Sequence, residues 1–143
     1  MKSLRDICTH KDMFYVNTGM TVYEVVGEMA KNNIGAVPVL DDGGKLRGIF
    51  SERDLMTRCA AKRIDMENTK IDDVMTRGVI LMEAHDSYND CMNIMKQEGI
   101  RHIPVRDGEK LIGVVSMRDL MAEAAEEKKQ EIENLNSYIY YYK

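Results

Sequence analysis

The chain has 143 residues with Lys+Arg 20, Asp+Glu 24 and a net charge of −4, the size of one ordinary domain or two very small ones. With 44% hydrophobic and 31% charged residues it reads as a folded soluble protein, and the acidic balance excludes broad wrapping of nucleic acid or an anionic membrane. No apolar run approaches the ~18 residues of a membrane span and MKSLRDICTHKD holds no signal-peptide core, so a cytoplasmic chain is expected.

In chain order, residues 4–9 (LRDICT) lead to a short strand expected over 14–17. Thr21-x-x-Glu24 is a capping box that opens a helix, and Val22, Val25, Val26, Met29 and Ala30 follow at helical spacing. Asn33 lies just past that helix, where a left-handed C-cap is tolerated. Two β-rich runs, 36–40 and 46–50, flank the turn Asp41-Asp42-Gly43-Gly44. A second helix starts at Ser51, and 57–70 read as a polar connector.

The same order then returns. Residues 71–76 (IDDVMT) precede a strand expected over 79–82, and Ser87-x-x-Asp90 opens a helix carrying Tyr88, Cys91, Met92 and Met95. Gly99 takes the place of Asn33. Runs 102–106 and 111–115 flank Asp107-Gly108, and a further helix starts at Ser116. Sliding the copies together pairs Thr21 with Ser87, Pro38 with Pro104, Gly48 with Gly113, Ser51 with Ser116 and Asp54 with Asp119. Two copies of one unit thus fill most of the chain. Each is too small to be comfortably stable alone, so the pair is expected to share a core, sheet to sheet, about a pseudo-two-fold. Past the second copy, Met121, Ala125, Lys128, Ile132, Leu135, Ile139 and Tyr142 form a short heptad stripe, open to a coiled coil or to packing back on the module.

Cys8, Cys59 and Cys91 are far apart, with no CxxC pair, and the histidines show no metal-ligand spacing. Buried free thiols are expected, with neither a metal enzyme nor a thiol enzyme suggested.

The phrases Gly48-Ile-Phe-Ser51-Glu-Arg-Asp54-Leu55 and Gly113-Val-Val-Ser116-Met-Arg-Asp119-Leu120 resemble the signature of CBS domains. So do the runs ending at Pro38-Val39 and Pro104-Val105. The resemblance implies an α+β tandem CBS pair (a Bateman module) over 1–121, with repeats at about 4–60 and 71–121, followed by a charged tail at 122–143. It also implies a non-catalytic regulator with adenine nucleotide as its ligand, no required cofactor, a homodimeric state and a separate regulated enzyme or transporter. The length leaves no room for a fused catalytic domain. An adaptor binding S-adenosylmethionine, NAD or nucleic acid is the runner-up.

Ser51-x-x-Asp54 and Ser116-x-x-Asp119 also have an ordinary reading as helix caps, and capping and ligand contact are compatible. An ionised aspartate only accepts hydrogen bonds, which suits the two donors of a ribose diol. It would repel a phosphate, so Arg101 and His102 are the candidate phosphate partners, with Arg77, Arg53 and Arg118 as further cations. One expected site groups Ser51 and Asp54 with Arg101, His102, Thr76 and Arg77. The other groups Ser116 and Asp119 with Thr9, Gly35 and Ala36, and is expected to be the weaker. Val37, Ile49, Ile103 and Val114 are expected to wall the adenine, with Pro38, Val79 and Pro104 nearby.

Overall fold

The computed structural model describes residues 2–8 and 13–141, with 136–141 as backbone only. It contains two three-stranded sheets. In the first, β1 (Val16–Asn17) runs parallel to β2 (Ala36–Leu40), which is antiparallel to β3 (Leu46–Ser51). In the second, β4 (Met82–Glu83), β5 (His102–Asp107) and β6 (Lys110–Ser116) repeat that pattern. The strand expected over 14–17 shortens to Val16–Asn17, and the one expected over 79–82 shifts to Met82–Glu83. The left-handed turns are taken by Gly44 and Gly108, at φ 80 and 66.

Helix α2 (Val22–Asn32) starts where the capping box predicts: Glu24 N donates to Thr21 Oγ1 at 3.2 Å, and the Glu24 carboxylate accepts from the Thr21 amide. Its counterpart α4 (Tyr88–Glu98) starts with Asp90 N donating to Ser87 Oγ at 3.2 Å. Both end in left-handed caps, Asn33 at φ 54 and Gly99 at φ 67. Along the strands, alternate side chains take opposite faces. Val37, Val39 and Phe50 therefore pack on Val22, Val25 and Met29 of α2, while Ile103, Val105 and Val115 pack on Tyr88, Cys91 and Met95 of α4.

The lead segments cross over. Helix α1 (Leu4–Cys8) packs in the second core, and the 3-10 turn Ile71–Asp73 with Val74 and Met75 packs in the first. Matching hydrogen bonds fix both: Leu4 N donates to Asp86 O at 2.9 Å, and Ile71 N donates to Met20 O at 2.8 Å. The copies 4–60 and 71–121 are thus sequence units, and each packed half takes its lead segment from the other copy.

The second helices differ. Helix α3 (Glu52–Asp54) passes directly into a π-helical stretch, Leu55–Ala60, so helix occupies part of what reads as connector. Helix α5 (Met117–Tyr141) is much longer. It buries Leu120, partly buries Ala124, and accepts a 2.5 Å hydrogen bond from Tyr88 Oη at Glu127. Met121, Ala125, Lys128, Ile132 and Leu135 are all exposed, so among the described residues the heptad stripe lies beside the packed face and not on it. Tyr142 lies outside the described residues.

Candidate functional site

Both serine-aspartate boxes form. Ser51 N donates to Asp54 Oδ2 at 3.0 Å and Asp54 N donates to Ser51 Oγ at 3.2 Å. Ser116 N donates to Asp119 Oδ2 at 2.8 Å and Asp119 N donates to Ser116 Oγ at 3.1 Å. Each helix start is tied to the head of its own sheet, Glu52 N to Gly35 O at 2.9 Å and Met117 N to Arg101 O at 2.8 Å. Each box thereby orients its aspartate through one carboxylate oxygen, Oδ2.

A cavity of about 1090 Å³ lies between the two halves. The second half supplies Arg101, His102, Val114, Ser116, Arg118 and Asp119. Gly35, Ala36 and Pro38 face them from the first half, with Glu52 at the start of α3. A single cleft thus holds an acceptor carboxylate at a helix start, small and apolar strand residues, and charges of both signs. A ligand with a donor diol, a flat apolar ring and an ionised end matches that combination.

The grouping differs from the sequence expectation. Arg101 and His102 border the cavity beside Asp119, whereas Ser51, Asp54, Thr76 and Arg77 do not border it. Asp54 is 9% exposed. Its Oδ1 accepts from Thr76 Oγ1 at 3.4 Å and lies 3.7 Å from Arg58 Nε. Backbone bonds between Ile49 and Thr76, 2.9 and 2.8 Å, zip the 71–76 segment onto β3. Arg77 donates to Asp72 O, and Arg53 reaches across to Gly99 O at 3.4 Å. Val37 and Ile103 are sealed at 0% exposure inside the cores, and Pro104 is buried without bordering the cavity. Strand parity accounts for Val37 and Ile103, whose neighbours Pro38 and His102 face the cleft. Val79 is partly exposed away from the cavity, and Thr9 lies outside the described residues.

Sequence reading missed Glu52, Asn33, Ile34 and Phe14 as cleft residues. Asn33 and Ile34 adjoin Gly35 in sequence and were within reach of the repeat argument. Phe14 and Glu52 carry no such local signal. Burial pushes the Cys91 thiol up to about 12, and burial with the charge of Asp54 raises that of Cys59. Among the described residues no group of three His, Cys, Asp or Glu side chains is placed to hold a metal. No described helix is long and apolar enough to cross a membrane.

The family model for the CBS domain matches residues 4–61 and 71–126. A mitochondrial CBS domain-containing protein of Arabidopsis thaliana, CBSX3, is 33% identical over 129 residues, covering 87% of this chain and 63% of that protein. The chain therefore spans a little under two thirds of that relative. The CBS-domain containing protein ATU1752 of Agrobacterium tumefaciens superposes with a TM-score of 0.80 at 27% identity, covering 86% of this chain and 99% of the other. The CBS domain pair of protein MJ0100, solved with 5'-methylthioadenosine and S-adenosyl-L-methionine, superposes at 0.76 with 25% identity, covering 89% and 98%. Two matched repeats, crossed lead segments and paired serine-aspartate helix starts have one reading: the chain belongs to the CBS-domain family, as a tandem CBS pair.

Proposed function

We propose that this chain is a non-catalytic regulatory module that binds an adenosine-containing ligand in the cleft bordered by Asp119, Arg101 and His102. Paired CBS domains are regulatory ligand-binding units, and the MJ0100 pair carries adenosine derivatives. The carrying observation is the cleft itself, which joins both halves around the Asp119 carboxylate and the basic side chains Arg101, His102 and Arg118, with Glu52 facing them. Asp119 takes the ribose hydroxyls, Ala36, Pro38 and Val114 flank the base, and Arg101 with His102 meets the ionised end. AMP, ADP or ATP would use those cations for phosphate. S-adenosylmethionine would use them for its carboxylate, with Glu52 available for its amino group. Ligand binding would alter how the halves meet, and a partner chain or a second copy would read that change.

Calorimetric titration of AMP, ATP and S-adenosylmethionine tests the reading. A charge-assisted hydrogen bond is worth ~1.5–3 kcal/mol, so Asp119→Ala is expected to weaken the ligand that binds by about ten- to a hundredfold. Arg101→Ala should weaken ATP more than S-adenosylmethionine if phosphate is what it meets. Undiminished affinity in Asp119→Ala, or no binding of any of the three, contradicts the proposal.

A further inference from the structure

The two serine-aspartate boxes match in local geometry, yet their surroundings do not. Four residues after Asp54 the chain has Arg58, and four residues after Asp119 it has Glu123. The Arg58 side chain donates to Val74 O at 3.1 Å and Met75 O at 3.0 Å, with its Nε 3.7 Å from Asp54. Glu123 carries the charge of Asp119 and pairs instead with Lys2 at 3.1 Å. The crossed lead segments also differ in bulk. A Cβ placed on Gly48 would stand 2.7 Å from Met75 Sδ, while one on the equivalent Gly113 would stand 3.3 Å from Cys8 Sγ. The longer thioether packs on Gly48, in the strand that leads to Ser51 and Asp54, and the shorter thiol borders the cavity on the Asp119 side.

We infer that Arg58 and Met75 close the Asp54 position from within, so that the module takes one adenosine-type ligand per chain, at Asp119. A ribose approaching Asp54 would have to displace a guanidinium held by two carbonyls together with the Met75 side chain. The equivalent positions on the Asp119 side hold Glu123 and Cys8 instead. This inference rests on the function proposed above and assigns the closure to two residues that capping and repeat matching leave unused.

The test is binding stoichiometry, measured by titration with ATP and, separately, S-adenosylmethionine. The wild-type chain is expected to bind one equivalent of the ligand it accepts. Asp119→Asn should weaken that binding about tenfold or more, while Asp54→Asn, which keeps a capping side chain, leaves it unchanged. The double variant R58E/M75C, copying the second half, should bind a second equivalent. Far-ultraviolet circular dichroism confirms that each variant is folded, and single R58E serves if the double variant is not. Two equivalents in the wild type, or loss in Asp54→Asn with binding kept in Asp119→Asn, overturns the closure while leaving the functional reading standing. No binding of either probe by any variant overturns both.

Discussion

Gly48 and Gly113 show how much of the site depends on single atoms. Both are buried in the third strand of their sheets, and both lie under a sulfur from a crossed lead segment. At Gly48 an added methyl would also sit 2.8 Å from the Thr76 carbonyl oxygen, a backbone atom with little freedom to move. Gly48→Ala is therefore expected to destabilise the fold by about 1–3 kcal/mol, the usual range for forced overpacking. Gly113→Ala, whose added methyl meets only the Cys8 side chain among the described residues, at 3.3 Å, should cost less. Denaturant unfolding of the two variants checks this ranking, and equal losses would contradict the difference in closure. The serine-aspartate boxes were legible in the sequence because a cap is a contact over three residues. The Arg58 contact was not, since it depends on where Val74 and Met75 dock. Residue parity along β2 and β5 decided the rest: Val37 and Ile103 look like good ring walls by composition but point to the cores.

At the scale of elements, α1 and the Ile71–Asp73 turn are the parts that make two copies into one module. Leu4 is completely buried among residues of the second half, although it begins the first copy. Truncating such a side chain costs about 2–5 kcal/mol, so Leu4→Ala should be strongly destabilising. Hydrogen exchange should show the loss of protection beginning in α4 and β5; loss confined to α2 and β2 would contradict the crossing. Arg5 helps to hold α1, its Nη1 lying 2.6 Å from Asp107 at the end of β5. That hydrogen bond keeps the Asp107 carboxyl below its ordinary range. The stabilisation it gives is present above the unfolded value near 3.8 and fades as pH falls through the lowered one. The repeat was visible from matched residues such as Pro38 and Pro104, but matching copies says nothing of which half each lead segment joins. Helix α5 divides similarly. Its heptad spacing was legible, but the residues that pack on the module are Leu120, Ala124 and Glu127 beside that stripe, while Met121, Ile132 and Leu135 are left exposed.

Across the whole molecule, a nearly symmetric duplication has a cleft beside Asp119, while the equivalent Asp54 is engaged by Thr76 and Arg58. Local signals such as caps, turns and strand alternation were enough to lay out both copies. The cleft grouping needed the three-dimensional fold, because Arg101 and His102 meet Asp119 through the ties at the head of their own sheet, Met117 N to Arg101 O among them. One open cleft and one closed position would turn a symmetric scaffold into a sensor with a single input per chain, read by whatever contacts the outer faces. The most direct measurement is assignment of the backbone amides by nuclear magnetic resonance, followed by titration with ATP and with S-adenosylmethionine. The prediction is that shifts centre on Gly35, Ala36, His102, Val114 and Asp119 for the ligand that binds. Shifts centred on Ser51, Asp54 and Thr76 instead would contradict it.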